Sequence, residues 1–260
     1  MLVTLMLYHG LIPAIFRQLS FLLHLQPLKF LSPWQFRDGV WGASMPKLLK
    51  MSDEAHHDAK KWLLTTAKGK VLEVGAGSGE TIKYYDEAAI DHLYALEPFE
   101  PAVPHLVRSI AARGKAFERK STVIAHGIQD DAALARHGIK PGSLDALVLV
   151  QCLCSIPGGP EAHLARCVEL VKPGGVVLMM EHTAQLHDPI AAGVQRILNP
   201  AWRFMANGCE MTRDSLGVLM RLDCWESVEV QRVKGQTASA LLPQVYVRAT
   251  KAGGQRAGKR

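Results

Sequence analysis

The chain has five cysteines in 260 residues, and an odd, sparse set excludes a disulfide framework and points to a reducing compartment. Cys152 and Cys154 form a lone CxC. Without the second pair that a zinc site's spacing uses, no metal is expected. The net charge is +6, but lysine and arginine are scattered and no stacking motif or nucleic-acid module accompanies them. Nucleic acid is therefore not an expected partner, and a weak attraction to an anionic membrane fits the charge at least as well. No GxxxxGK[ST] phosphate loop occurs, so DEAHH at Asp53 to His57 is not a helicase box.

A clean spanning helix is also missing. The leader MLVTLMLYHGLIPAIFRQLSFLLHLQPLKFL is strongly apolar, yet His9, Gly10, Pro13, Arg17 and Gln18 interrupt any run of ~20 apolar residues. It has no basic n-region or small-residue cleavage site, which excludes a removed signal peptide. Residues 1–33 instead read as a membrane-associating helix or broken hairpin at a bilayer interface, with Arg17 and Lys29 near the head groups. The alternative is a helix that caps the domain's own core.

Nearly half of the residues are hydrophobic, enough for one sizeable core with an appendage. Residues 34–251 read as that domain, and 252–260 as a basic, flexible tail. An amphipathic helix is expected from Asp53 to Thr66. Apolar runs then recur at Val71–Val74, His92–Leu96, Ser121–Ala125, Ala146–Val150, Val176–Met180, Val228–Val233 and Gln244–Ala249. Helical or loop segments separate most of them, so the fold class is α/β with a parallel sheet covered on both faces. KGQTASALLP is too short for a crossover helix, so the last two strands should pair antiparallel.

The stretch VLEVGAGSGE places Gly75, Gly77 and Gly79 at an expected strand-to-helix turn, where a backbone must bend sharply and approach a ligand. A dinucleotide fingerprint would read GxGxxG; here the spacing is GxGxG, and Glu80 would set a negative charge beside a pyrophosphate. A phosphate-free, positively charged nucleoside is the better guest, and S-adenosyl-L-methionine fits. Glu73 stands near enough to serve its ammonium end. Glu97, at the end of the second strand, suits the ribose hydroxyls. Ile128 and Gln129 in HGIQDD are placed to cover and hydrogen-bond an adenine. Ala76, Pro98 and Gln151, beside these turns, complete the candidate cofactor set.

With these blocks in view, the sequence resembles the class I methyltransferases. More narrowly it is similar to the methyltransferase-like, membrane-associated thiol methyltransferases of the endoplasmic reticulum and lipid droplets. The matching stretches are VLEVGAGSG, FERKSTVIAHG, LCS at Leu153 to Ser155, VKPGG, MEH at Met180 to His182, NPAW at Asn199 to Trp202 and NGCEMTR at Asn207 to Arg213. The resemblance spans roughly Val71 to Lys251. It implies a Rossmann-like, seven-stranded, mostly parallel sheet with an antiparallel last strand, preceded by an apolar N-terminal helical segment. It further implies a small lipophilic thiol acceptor and membrane association through the leader, with the catalytic domain in the cytosol at the endoplasmic reticulum or lipid droplet. The family usually carries Asp where Glu97 stands and an acidic residue near Ile128.

Methyl transfer needs alignment, a dry site and the removal of one proton. Beyond the carboxyl ends of strands four and five stand Gln151, Cys152, Cys154 and Ser155, then Glu181 and His182. His182 is the candidate proton acceptor and Glu181 its alternative or orienting partner; His182 as a plain structural residue is the competing reading. Cys154 reads more readily as buried packing than as an acceptor contact. Trp202, Phe204 and Met205 line an acceptor pocket or belong to the core. His126, His137 and His187 read as ordinary loop or surface residues. Two other functions stay open: an O- or N-methyltransferase of a lipid, quinone or secondary metabolite, and a lipid-surface protein without catalysis.

Overall fold

The computed structural model describes residues 10–24, 26–233 and 239–253. The first nine residues of the leader, part of KGQTASALLP and the tail from residue 254 lie outside the described residues. The helices are α1 (Ile12–Leu23), α2 (Pro27–Phe30), α3 (Pro33–Ala55), α4 (His57–Leu64), α5 (Val103–Ala111), α6 (Lys115–Arg119), α7 (Asp131–Arg136), α8 (Gly159–Leu170), α9 (Pro189–Met205) and α10 (Ser215–Met220). The strands are β1 (Gly69–Val74), β2 (Ile90–Leu96), β3 (Ser121–Ile124), β4 (Leu144–Val150), β5 (Val171–His182), β6 (Trp225–Arg232) and β7 (Gln244–Lys251).

The seven strands form one sheet in the order β3-β2-β1-β4-β5-β7-β6. β1 to β5 pair parallel, and β7 runs antiparallel between β5 and β6. The central strands read as unbroken apolar runs because both faces are covered. Along β4 and β5, Leu147, Leu149, Val177 and Met179 enter one core with Leu164 of α8 and Leu219 of α10. Their neighbours Ala146, Val148, Leu178 and Met180 enter the other, with Leu63 of α4 and Leu106 of α5. Each fully buried Leu contributes about 1.5–3 kcal/mol relative to exposure.

Two local expectations change. The helix expected over Asp53 to Thr66 is broken at His56, where α3 ends and α4 begins. The Asp53 carboxylate is drawn into a buried cluster with Lys60 (3.2 Å), the Tyr84 hydroxyl (2.9 Å) and Lys83, while the Tyr246 hydroxyl of β7 meets Nδ1 of His56 at 2.8 Å. Both tethers flank the bend. The glycine turn after β1 leads into a single 3-10 turn over Ile82–Tyr84 rather than a full helix. The VKPGG turn joins β5 as an irregular start, with Gly174 at φ +74° and a register shift against β4.

The described part of the leader, from Gly10, is a broken helical segment. α1 stops at Leu23, and α2 and α3 each open with a proline, at Pro27 and Pro33. α1 lies on α3 through small residues: a Cβ on Gly39 would stand 3.3 Å from the Cβ of Ala14. Buried Gln18 ties α1 to the backbone carbonyls of Lys29, Phe30 and Ser32. The other side of α1 is open, with Phe16 69% and Leu23 83% exposed. Among the described residues no helix is long and apolar enough to cross a membrane.

Candidate functional site

A cavity of about 410 Å³ lies beyond the carboxyl ends of β1, β2 and β4, where the strand order reverses and open α/β sheets bind ligands. Its size is within the range of cofactor pockets, roughly 300–1,000 Å³. Glu73, Gly75, Ala76, Gly77, Glu97, Pro98, Ile128, Gln129 and Gln151 all line it. Gly79 does not. It sits behind the turn, at φ +83°, where a Cβ would meet that of Ser109 on α5 at 2.7 Å.

The glycine turn is a cradle that side chains would fill. Gly75 and Gly77 have φ of +69° and +57°, and a Cβ on each would stand 2.6 Å from Cys152 Cβ and 2.9 Å from Leu49 Cδ1. Glu97 braces this turn: its carboxylate accepts the N–H of Gly77 at 2.6 Å and that of Phe99 at 2.8 Å. Burial raises the pKa of Glu97 against the opposing pull of these two bonds. Glu73 is fully enclosed and accepts from the Thr81 hydroxyl at 2.6 Å and the Tyr85 hydroxyl at 2.9 Å. Its burial pushes the carboxyl up to about 7. Gln151 holds a positive φ of 51° and receives a hydrogen bond from Ser52 of α3 at 2.7 Å.

The cavity has three carboxylates, Glu73, Glu80 and Glu97, against the ammonium of Lys60 and the ring of His126. That balance suits a cationic nucleoside better than an anionic dinucleotide. S-adenosylmethionine therefore fits the residues present: a narrow glycine backbone beside the buried carboxylates of Glu73 and Glu97, with Ile128 and Gln129 also lining the cavity.

Several wall residues escaped the sequence reading. Trp41, Met45 and Leu49 of α3 close one side of the cavity; they share a helix face but carry no motif. Lys60 is only 3% exposed, paired with Asp53, and burial lowers its pKa despite that partner. His126 is an exposed loop residue, as expected, and also lines the cavity, where it meets Asp130 at 2.8 Å. Phe204 and Met205, weighed as pocket or core, are exposed at 41% and 43% and belong to neither.

The structure does not bring His182 or Glu181 to the cavity wall. Glu181 is fully buried, and one carboxylate oxygen accepts the N–H groups of Cys152 and Leu153, both at 2.7 Å. It thereby shapes the loop after β4, and burial raises its carboxyl to about 7. Nε2 of His182 lies 3.0 Å from Sγ of Cys209, which also receives the indole N–H of Trp202 at 3.2 Å. Cys154 completes this group, its sulfur 3.4 Å from Oγ of Ser155. Hydrogen bonds from Cys154 and then His182 and Trp202 draw the Cys209 thiol down to about 4, against its burial. Burial alone would lower His182, but the bond to Cys209 and its charge raise it.

Comparison with known proteins completes the description. A family profile described as a methyltransferase domain matches residues 26–222. The chain is 30% identical over 188 residues to the human protein named thiol S-methyltransferase TMT1A, covering 72% of each chain. It is 30% identical over 154 residues to human thiol S-methyltransferase TMT1B, covering 58% of this chain and 59% of that one. Among solved structures, a Burkholderia thailandensis 1,6-didemethyltoxoflavin-N1-methyltransferase with bound S-adenosylhomocysteine superposes with a TM-score of 0.56 at 18% identity. That match covers 83% of this chain and 87% of the other, and it shows a shared fold.

Proposed function

The chain belongs to the methyltransferase-domain family and is an S-adenosylmethionine-dependent methyltransferase; from that premise we propose that its acceptor is a small lipophilic thiol, methylated on sulfur. The observation that carries the reading is the character of the cavity beyond the cofactor turn. We assign its acceptor side to Trp41, Met45, Leu49 and Phe99 among the lining residues, apolar surfaces that hold and dry a lipophilic group and themselves offer no general base. A thiol tolerates that, since a few per cent is already thiolate near neutral pH and thiolate is intrinsically nucleophilic. The two thiol S-methyltransferase relatives support the same choice.

When bound, the cofactor supplies a methyl group on a sulfonium, open to in-line displacement. The chain's own residues do the rest. Glu73, Glu97 and the Gly75–Gly77 backbone hold the donor's polar ends. Ala76, Pro98, Ile128, Gln129 and Gln151 enclose it, and Gly79 seats the turn on α5. Trp41 and Met45 exclude water from the acceptor. Glu181 acts as a positioning residue by fixing the backbone of Cys152 and Leu153, and His182 is engaged with Cys209 instead of the acceptor.

The same reading places the protein on a membrane or lipid-droplet surface, its catalytic domain facing the cytosol. The open apolar side of α1 is joined by α9, where Ile190 and Ile197 are each 79% exposed. Trp34 of α3 and Phe204 of α9 pack together, ring centroids 5.4 Å apart. Trp41, two turns further along α3, is already cavity wall, so a lipophilic acceptor leaving the surface has a short apolar path inward. Residues 34–251 form the catalytic unit and 1–33 the surface-seeking segment.

Methyl transfer from labelled cofactor to matched thiols, phenols and amines tests the acceptor. The thiols should turn over fastest, and more so as their apolar part grows. Preference for a phenol or amine would move the assignment to O- or N-methylation, and no turnover with normal cofactor binding would favour the non-catalytic alternative.

A further inference from the structure

Three soft donors converge just behind the cavity. Cys154 comes from the loop after β4, His182 is the last residue of β5, and Cys209 follows α9. Their two Sγ atoms and a ring nitrogen of His182 lie within 4.8 Å of one another, and all three residues are buried. Among the described residues this is the one such group of His, Cys, Asp or Glu donors. From these positions we propose that Cys154, His182 and Cys209 bind a soft divalent cation of the zinc class, with three protein ligands and a fourth position left for a small exogenous ligand.

The ordinary alternative is that the cysteines are small apolar packing. The surroundings argue otherwise. A nearly enclosed imidazole stands 3.0 Å from one of the two sulfurs, and Trp202 aims its N–H at that same sulfur from 3.2 Å. A neutral thiol is a weak acceptor, whereas an indole N–H directed at sulfur is the kind of outer partner that holds a metal-bound thiolate. Charge leads to the same place. Two thiolates, a neutral imidazole and a dication sum to zero, which is the least costly way to bury this set.

The donor types select the ion: sulfur and imidazole favour zinc over magnesium, calcium or manganese. Zn–S near 2.3 Å and Zn–N near 2.0–2.1 Å put tetrahedral ligand atoms roughly 3.5 Å apart. The observed separations, from 3.0 Å for Nε2 to Sγ up to the 4.8 Å limit, close onto an ion through side-chain rotation. Three protein ligands plus one open position is the pattern of zinc sites that take a further ligand. Ser155, in contact with the Cys154 sulfur, and Asn207, two residues before Cys209, both line the cavity, so that position has neighbours on the substrate side.

The full chain, reduced, stripped with chelator and titrated with Co²⁺ under anaerobic conditions, provides the test. One equivalent should bind with the intense near-ultraviolet absorption of thiolate-to-cobalt charge transfer, and Zn²⁺ should displace it. Cys154→Ser and Cys209→Ser should each abolish those bands, whereas Cys224→Ser, remote from the cluster, should leave them unchanged. Trp202→Phe keeps all three ligands and should weaken the metal by ~10–100-fold, the usual cost of losing an outer partner. The proposal is overturned if the reduced parent gives no thiolate–cobalt bands, if they persist in the Cys154→Ser/Cys209→Ser double variant, or if mass spectrometry of protein kept reduced finds a Cys154–Cys209 disulfide in their place.

Discussion

Glu73→Gln isolates the cost of burying a carboxyl beneath the cofactor turn. Burial raises Glu73 from 4.5 to about 7, so the folded state prefers it neutral. The stability this preference represents is complete below the unfolded value of about 4.5 and is lost as pH rises through about 7. At 1.36 kcal/mol per unit, the full loss is about 3 kcal/mol. Glutamine carries no charge, and the Thr81 and Tyr85 hydroxyls that meet Glu73 can turn to donate to its oxygen and accept from its amide. The variant without cofactor should therefore match the parent near pH 5 and exceed it at pH 8.5. The expected additional gain is roughly 2–3 kcal/mol, or about 5–10 °C in Tm for a domain of this size. Calorimetric melts of both proteins at the two pH values measure the difference, and other titrating groups cancel between them. Equal offsets at both pH values would refute the reasoning. S-adenosylmethionine should reverse the ranking, since its ammonium end favours the ionised carboxylate: parental affinity should tighten from pH 6 to 8, and the variant's should stay flat by calorimetric titration.

Gly77→Val should abolish cofactor binding in a protein that still melts cooperatively, because the position has φ +57° and a Cβ would stand 2.9 Å from Leu49; cofactor titration beside a thermal melt checks both halves. Glu97→Gln turns one acceptor into a donor facing the N–H of Gly77 or Phe99, and should weaken S-adenosylmethionine by about 1.5–3 kcal/mol, ~10–150-fold in Kd; an unchanged Kd would remove Glu97 from the site. Lys60→Met leaves Asp53 with Lys83 and the Tyr84 hydroxyl as partners and should lower stability by about 1.5–3 kcal/mol, the range for a hydrogen bond to a charged group, read as a fall in urea midpoint. Phe16→Gln with Ile197→Gln should reduce sedimentation with phosphatidylcholine vesicles while leaving turnover of a water-soluble thiol intact; unchanged sedimentation would favour α1 as a cap of the domain alone.

The strands and the cofactor turn were legible because their causes are local. A parallel strand covered on both faces reads as a continuous apolar run, and three closely spaced glycines after it mark a backbone that must reach φ values other residues avoid. What was hidden depends on side chains meeting across the sheet. Trp41, Met45 and Leu49 share a helix face, but nothing in their spacing says that the helix folds over the cavity. Lys60 sits in an ordinary amphipathic pattern, and only the position of Asp53 turns it inward. The break at His56 is flanked by bonds from Asp53 and His56 to residues 7 to 190 positions away in the chain. Cys154, His182 and Cys209 lack metal-site spacing because β5 and α9 intervene, although LCS, MEH and NGCEMTR each stood out.

α3 joins two places that are otherwise far apart. Its 23 residues span about 35 Å at 1.5 Å per residue. Near its start Gly39 bears against Ala14 of α1, and near its end Ser52 holds Gln151 at the cavity. A helix transmits displacement along its axis, so a load on α1 and a ligand against Gln151 act on one lever. Linkage then sets the accounting: whatever factor a surface gripping α1 imposes on cofactor affinity, the cofactor imposes on the grip of that surface.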